Sequence, residues 1–569
     1  MKRHIVFIAV LIGVIYFLGW HLQPFEAKFF SFHDDTQVGR MKEFAFSLKN
    51  LQIPPRLAPH FSFGMGFPVF NFYAPFSYWV GGLLNVIGVP IVAAAKTSFF
   101  LVILAMFVFM YLYISTLFSF EAGLVAATVY TSSIWIATEI FARGNIGELW
   151  FIAFLPLSLY FLEKNGKSKS PLTFVATVVT VSFALTSHNV LSIIGFLLFI
   201  LYSFAIKGYK KNLLAIFTAL LLSAYFFLPL GLESSLTFAK AQAEKTPYAD
   251  HFLCPLQLWS SPTWELGGSG IGCNDGMSFK LGKIQLVLGV FGFLAWIFSV
   301  LFHKRRFPKG NAKYIIVSFF GIMSLFMMFD ISTFLWKIFS FVLAAFQFPW
   351  RFNSFFLFFI AFFAGYLVNA IKNRIIRIVV QPLTLLLVIM MLSSSRPYFR
   401  HPWRVTYNEY YSKYVSDEYI YKSIAYAIPE YLPRTANYQK WMNYKTPQKL
   451  MTKPGDYSPF LGSTKSLSIK KNLPYEKEAV SLADQTITIN TLYFPFWQIT
   501  VNGKILVPKS FDSLGRPILS VTKSSTIRVI YKETITETIG NYITILTIVG
   551  LGVVAFNRKL WNRLNNINT

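Results

Sequence analysis

The sequence predicts a polytopic α-helical membrane protein with an extracytoplasmic domain of mixed structure towards its C-terminal end. Three observations carry this reading. Of 569 residues, 54% are hydrophobic and only 14% charged, with a mean hydropathy of +0.50, whereas a soluble domain usually carries about a quarter charged residues. The apolar residues, among them 62 Phe, gather into long blocks and not into the short alternating segments of an outer-membrane barrel. A polar stretch over 395–537 interrupts the blocks and is long enough to fold as a unit. An ordinary soluble enzyme is excluded.

Blocks of the roughly 17 to 25 residues needed to cross a bilayer read at 5–20, 96–117, 121–140, 147–163, 171–187, 190–206, 213–232, 284–302, 314–329, 353–371, 378–394 and 539–556. This makes about twelve transmembrane helices. The basic clusters are Lys2-Arg3, Lys164/Lys167/Lys169, Lys207/Lys210/Lys211, Lys304/Arg305/Arg306/Lys309/Lys313, Lys372/Arg374/Arg377 and Arg558/Lys559/Arg563. With these spans every cluster falls on the side of the N-terminus, as the positive-inside rule requires. Lys and Arg outnumber Asp and Glu by 52 to 25, a net charge of +27. Much of that excess is therefore a topology signal and not a nucleic-acid footprint. The reading is a multi-pass protein of the cell (cytoplasmic or inner) membrane, with both termini cytoplasmic and the large domain outside.

The first block follows Lys2 and Arg3 like a signal peptide, but Trp20, His21 and Leu22 replace a small-x-small cleavage site after Gly19, so it is read as a retained span. Ala74 to Val92 is apolar enough to span, yet counting it would move most later basic clusters outside; it is read as a helix lying at the outer interface. Residues 1–394 thus form a transmembrane domain with a large first extracytoplasmic loop (21–95). Residues 395–537 form an extracytoplasmic domain, and 538–569 a final transmembrane helix with a basic cytoplasmic tail.

Within the outer domain, Trp403 to Tyr444 is Tyr-rich with helical spacing in places. Strand-like runs follow at Ser466–Lys470, Gln485–Ile489, Trp497–Val501, Lys504–Val507, Ile518–Val521 and Thr526–Tyr531. Asn502-Gly503 is a two-residue hairpin signal, and the expected product is a small antiparallel β-sandwich. Tyr407, Tyr410, Tyr411 and Tyr414 suit either stacking on sugar rings or ordinary packing. The only cysteines, Cys254 and Cys273, fall in one outside loop. They are disulfide candidates in an oxidising compartment, the alternative being two unpaired thiols.

Polar residues at the outer face are the candidate chemistry. His33-Asp34-Asp35 follows the first span. Adjacent carboxylates repel, so keeping both ionised favours a divalent metal, a basic ligand or a raised pKa; the competing reading is a solvated turn capping a helix over 36–48. The Pro- and Gly-punctuated run from Ile53 to Pro75 is non-helical and aromatic, fitting either the wall of a lipid-facing site or a structural loop. Arg143-Gly144-Asn145-Ile146-Gly147-Glu148 and Ser187-His188-Asn189 lie at further outside junctions, with Glu233 and Arg351 beside them. Ionisable groups near membrane depth are costly unless paired or used. Arg143 and Glu148 are also able to pair with each other, and His188 to be a structural histidine.

These residues resemble known proteins. The arrangement of span, long outer loop with an acidic pair, Pro/Gly/aromatic segment and Pro75-Phe76-Ser77-Tyr78-Trp79 helix resembles the GT-C superfamily of polytopic glycosyltransferases. His33-Asp34-Asp35 with Arg40, the Gly64–Tyr73 run, Arg143-Gly144 with Glu148, Phe348-Pro349-Trp350-Arg351-Phe352 and Glu430-Tyr431-Leu432-Pro433 resemble a bacterial and archaeal membrane family labelled "6-pyruvoyl-tetrahydropterin synthase related". The zinc-binding histidine cluster of the soluble synthase is not found. Tyr493 to Lys504 with Gly515-Arg516-Pro517 resembles the extracytoplasmic sandwich of YfhO-type membrane proteins.

The resemblance implies transfer of a sugar from a polyprenyl-phosphate-linked donor, with inversion, to an envelope glycan or protein acceptor. Asp34 or Asp35, with Asp35 preferred, would be the base or the ligand of a divalent metal (Mg or Mn). Arg143 and Arg351 would hold the departing phosphate, Glu148 and His188 would orient acceptor or metal, and Arg40 and Tyr73 would complete the substrate-binding set. The acid pair is Asp-Asp after His and not Asp-x-Asp, which leaves metal dependence open. Two rivals remain: a non-catalytic membrane factor binding lipid-linked glycan or envelope polymer, and a lipid-glycan transporter. The internal repeats expected of a transporter are not seen.

Overall fold

The computed structural model describes residues 2–239, 247–261, 267–302, 312–371, 374–421, 429–442, 458–462 and 466–557. Lys304, Arg305, Arg306, Lys309, Lys372, Tyr444 and the tail cluster Arg558/Lys559/Arg563 lie outside the described residues.

All twelve expected spans are occupied by helix. Six helices are long and apolar enough to cross a membrane: Arg3–Leu22, Ile91–Leu117, Ile146–Asn165, Lys283–Phe302, Pro349–Ala370 and Ile535–Phe556. Three more pass only as bent pairs, Phe120–Thr131 with Ile134–Arg143 (44°), Tyr209–Leu222 with Ala224–Leu236 (70°) and Ala312–Met327 with Asp330–Ile338 (103°). The remaining segments hold shorter apolar helices, Pro171–Leu185, Asn189–Phe204 and Pro382–Ser395. Among the described residues six helices, or nine with each bent pair taken as one span, have the length and composition of a crossing; the expected count of about twelve also includes shorter helices, below the roughly 20 residues that a 30 Å hydrocarbon layer demands. The chain is a membrane protein on this evidence.

The centre of the bundle is filled by Ile146–Asn165 and Pro349–Ala370, which are mostly buried inside the protein, whereas Ile535–Phe556 is mostly exposed at its edge. Lys283–Phe302 crosses Asn353–Ala370 so closely that a Cβ on Gly292 would lie 1.9 Å from the Phe363 carbonyl oxygen. Small residues at such crossings let backbones approach where no hydrophobic drive separates lipid from helix. At one end of the bundle, Glu163 accepts hydrogen bonds from Lys167 (2.7 Å), Lys313 (3.1 Å) and Tyr202 (3.0 Å), and Lys211 donates to the Ser168 carbonyl (2.7 Å). Three basic clusters far apart in sequence therefore meet at the same end.

The opposite end carries the first loop. The apolar stretch read as interfacial forms a helix over Phe76–Val86, eleven residues and so too short to cross, before Ile91–Leu117 begins. β1 (Lys28–Phe29) pairs antiparallel with β2 (Val405–Thr406), tying the first loop to the outer domain. Thr406 then caps the helix Tyr407–Tyr414 through a reciprocal box with Glu409.

The outer domain contains a four-stranded antiparallel sheet and a five-stranded one. The first joins β3 (Phe460–Leu461), β6 (Gln485–Ile489), β10 (Pro517–Val521) and β9 (Ser510–Phe511) in that order. The second joins β4 (Leu467–Leu473), β5 (Glu476–Ser481), β11 (Thr526–Tyr531), β7 (Trp497–Val501) and β8 (Lys504–Ile505). Asn502 (φ 50°) and Gly503 (φ 77°) close the β7–β8 hairpin, with Val501 opposite Lys504. Buried residues of both sheets, such as Ile487, Leu519, Ile499 and Ile527, belong to one apolar core.

The final helix is clamped by buried polar groups. Arg56 donates to Asn71 Oδ1 (3.2 Å), the Tyr225 carbonyl (2.5 Å) and Asn541 Oδ1 (2.7 Å), and Asn71 Nδ2 donates to Glu537 Oε1 (2.5 Å).

Candidate active site

The sequence around Arg143 turns a broken helix into a charged corner. A π-helical turn over Glu139–Arg143 ends at Gly144, whose φ of 66° is left-handed. Asn145 then caps Ile146–Asn165 by accepting from the Glu148 N–H (3.2 Å). This places a carboxylate in the first turn of a helix, where the helix dipole favours it. The Gly144 corner packs against Phe32, so the first loop lies directly over it.

Glu148 is fully buried and gathers four donors. Arg143 approaches it as a fork, Nη1 to Oε2 and Nη2 to Oε1 at 2.9 Å each. Asn145 Nδ2 (2.9 Å) and Arg351 Nε (3.1 Å) both reach Oε1. His188 Nε2 is 3.5 Å from the same oxygen. Because His188 Nδ1 accepts the Leu191 N–H (3.2 Å), its proton sits on Nε2, facing Glu148. Burial holds the His188 pKa well below its ordinary value against the pull of Glu148, so the ring is a neutral donor.

Arg143 also donates to Glu139, and the Trp350 ring covers its guanidinium at 4.3 Å. Trp350 is held in turn by Ser269 Oγ (2.8 Å), inside the loop closed by a Cys254–Cys273 disulfide. Arg351 donates its Nη1 to the Phe346 carbonyl (2.6 Å), and its Nη2 meets no acceptor among the described residues.

The acid pair is pinned to this corner by its backbone. The His33 N–H donates to the Ala142 carbonyl (2.8 Å) and the Asp34 N–H to the Arg143 carbonyl (3.1 Å). The two carboxylates then diverge. Asp34 accepts from Thr36 Oγ1 (2.6 Å) and Gln37 Nε2 (2.6 Å), and lies 3.6 Å from Arg40 Nη2. Asp35 accepts the Phe32 N–H (3.2 Å) and looks towards Tyr410 and Lys413. Burial raises the Asp35 pKa to about 6. Asp35 makes no side-chain cap to the helix Thr36–Lys49, so the capping reading does not describe the pair.

Arg40 is buried, donates to Tyr78 Oη (3.1 Å) and lies 4.5 Å from the centre of the Tyr73 ring. Tyr73 Oη in turn lies 3.4 Å from Gln37 Nε2, which places Tyr73 beside Asp34 and Arg40. Glu430, buried beside Arg40 and Asp34, has its pKa raised to about 7 by burial.

Asp34, Arg40 and Tyr73 therefore form one polar network and Arg143, Glu148, His188 and Arg351 a second, and the two adjoin where the Asp34 N–H meets the Arg143 carbonyl. His33 is exposed, and Asp35 faces away. The preference for Asp35 does not match this geometry, since it is Asp34 that points among the buried polar groups. Gln37, Tyr78, Glu139, Asn145, Trp350 and Glu430 were not singled out as site residues. Of these only Glu139 carries a spacing signal, four residues ahead of Arg143.

Two cavities open elsewhere on the described residues, and neither is lined by the charged groups of the cluster. One, of about 800 Å³, opens between the first loop and the outer domain. The other, of about 530 Å³, is almost wholly apolar and runs between the interfacial helix (Phe76, Trp79), Phe183 and Thr186, and the final helix (Ile545, Ile548). Thr186 is two residues from His188.

No family model matches the sequence and no curated protein matches it. Among solved structures, the apo form of the Archaeoglobus fulgidus oligosaccharyltransferase is similar, at 12% identity and a TM-score of 0.48, over 70% of this chain and 56% of the other. The structure of that protein with Zn and sulfate is similar at 12% identity and a TM-score of 0.36, over 70% and 53%. The chain spans little more than half the length of these structures.

The donor set here does not suit a divalent cation. Such an ion takes about six oxygen ligands, but both Asp34 oxygens already accept hydrogen bonds, Asp35 diverges, and no group of three or more His, Cys, Asp or Glu is arranged to hold a metal among the described residues. What the arrangement supplies is a carboxylate acceptor oriented by Gln37 and Arg40, and a guanidinium, Arg351, fixed by Glu148 with one N–H pair to spare.

Proposed function

We propose that the protein is a membrane glycosyltransferase of GT-C type, moving a sugar from a polyprenyl-phosphate-linked donor to a cell-envelope acceptor on the outer face. The observation that carries the reading is an apolar groove whose lining reaches Thr186, two residues from His188 of the polar cluster. An isoprenoid chain suits the groove and its phosphate the guanidinium side.

In this reading Asp34 accepts the proton of the acceptor hydroxyl. The acceptor oxygen forms a bond to the anomeric carbon as the bond from that carbon to the phosphate oxygen breaks, and the electron pair leaves on the phosphate. Arg351 stabilises the developing charge with its spare N–H groups, a contribution strongest in a dry, preorganised site. Arg143, Glu148 and His188 are positioning residues. Arg143 is engaged with Glu148 and Glu139, so its expected phosphate-binding role passes to Arg351. No step is routed through a metal.

The self-satisfied Arg143–Glu148 pair favours a second reading, a non-catalytic factor that binds lipid-linked or polymeric glycan. Envelope glycan composition in a deletion strain separates the two. Complementation with Asp34→Asn is expected to fail and with Asp35→Asn to succeed. If Asp34→Ala and Asp35→Ala both restore the wild-type glycan, the enzyme reading falls.

A further inference from the structure

The 800 Å³ cavity has a chemistry different from that of the reaction centre. Its floor is the start of a span, Pro90 to Val92, and its walls are the outward face of the helix Thr36–Lys49, the helix Tyr407–Tyr414 and the turn between β4 and β5. Its size lies in the range of sites that enclose an organic ligand rather than a single ion.

The charged groups of the wall already have partners, ionic or neutral, and Lys477 donates to the Asn490 carbonyl (3.5 Å). Lys42 donates to Asp417 Oδ1 (2.7 Å), Tyr411 Oη (2.9 Å) and the Val415 carbonyl (3.0 Å). The His60 ring and N–H both meet the buried Glu43 carboxylate at 2.9 Å. Lys49 donates to Asn85 Oδ1 (3.1 Å). A strongly anionic ligand would have to compete with these partners, and a lipid chain finds a better fit in the apolar groove. The cavity presents instead flat rings, Tyr407, Tyr411 and Phe46, interleaved with the amides Asn85 and Asn408. Tyr411 is 38% exposed and Asn408 is exposed. A pyranose has one face of C–H groups to lay on a ring and a rim of hydroxyls that both donate and accept, which amides, phenols and paired charges satisfy.

We infer that this cleft is a saccharide-binding site that holds the acceptor glycan. The helix that supplies Tyr411 also packs Tyr410 against Phe32, whose N–H holds Asp35, so this side of the cleft borders the first-loop segment that carries the acid pair. The acceptor role rests on the glycosyltransferase reading; the binding does not. Because the floor lies where a span begins, the cleft is open both to the saccharide of a free polymer and to that of a lipid headgroup.

The test uses full-length Asp34→Asn protein in nanodiscs, titrated with β1,4-glucose, β1,4-N-acetylglucosamine, α1,4-glucose and α-mannose tetrasaccharides, each free and as a lipid conjugate. Binding is read by saturation-transfer NMR. At least one tetrasaccharide is expected to bind, with Asn408→Ala and Tyr411→Ala each weakening binding at least tenfold, Tyr411→Phe within threefold of the parent, and unchanged melting temperatures. Preference for the free or the conjugated form assigns the source, and either supports the site. Absence of binding by every probe, or binding indifferent to Asn408→Ala and Tyr411→Ala, overturns the inference. Loss of glycan transfer in Asp34→Asn without tetrasaccharide binding to that protein would sink this site alone; binding without any need for Asp34 in transfer would sink the enzyme reading alone.

Discussion

Arg143 and Glu148, five residues apart, face each other through two parallel hydrogen bonds of 2.9 Å. The left-handed turn at Gly144 brings them together, and Arg351 contacts the same Glu148 carboxylate. Replacing Glu148 by Leu leaves two guanidiniums buried against each other, and the expected loss is about 3 to 5 kcal/mol. Thermal unfolding in detergent checks this. Glu139→Gln, which leaves the fork intact, is expected to cost less than half as much.

Gly144 is a second point of sensitivity. A Cβ there would lie 2.0 Å from the Phe32 ring, on a backbone at φ 66° that L side chains rarely adopt. Gly144→Ala is expected to cost about 2 kcal/mol or more and to shift the segment that carries Asp34. A fall in the melting temperature with a parallel loss of glycan transfer is the expected outcome; unchanged values for both would contradict the packing described.

Asp35 makes a pH-dependent contribution of definite sign. Burial holds its folded pKa at about 6, above the ordinary 3.8, so between these values the native state binds more protons than the unfolded one. Stability therefore falls as pH rises from about 4 to about 6 and stays lower above it. Asp35→Asn removes the penalty and is expected to be more stable than the parent at pH 7 by about 2 kcal/mol after allowance for solvent screening. The difference should vanish below about pH 4. Melting curves across that range read it directly.

The Cys254–Cys273 bond closes a loop over a separation of 19 residues and is expected to contribute about 3 kcal/mol. Since that loop presents Ser269 to Trp350, which covers Arg143, Cys254→Ser with Cys273→Ser should lower transfer as well as the melting temperature. A lower melting temperature with full transfer would separate the staple from the site.

The sequence made the helical segments, the Asn502-Gly503 hairpin and the outer-face polar residues legible because each is written in local pattern. The breaks inside helices were not: Ser132 and Ser133 interrupt the apolar block between Thr131 and Ile134 too briefly to mark the end of a span, yet the axis bends there by 44°. Strand β5 was missed because its buried positions are Lys477, Ala479 and Ser481, which give no hydrophobic alternation. The choice between Asp34 and Asp35 turned on where the helix Thr36–Lys49 begins and on Gln37 and Arg40 reaching back, neither of which composition reveals. Arg143 looked available to a phosphate as readily as to Glu148, because the direction of the turn at Gly144 and the second partner, Glu139, are not legible in the motif.

The outer domain is joined to the membrane at both ends, by Arg374–Ser395 and by Ile535–Phe556, and the second of these is locked through Arg56 to the first loop. A body moored in this way at two points resists swinging about either one. The gap between it and the first loop is thus a slot and not a jaw, and a long polymer would enter it endwise or sideways along the membrane surface, without waiting for the domain to lift.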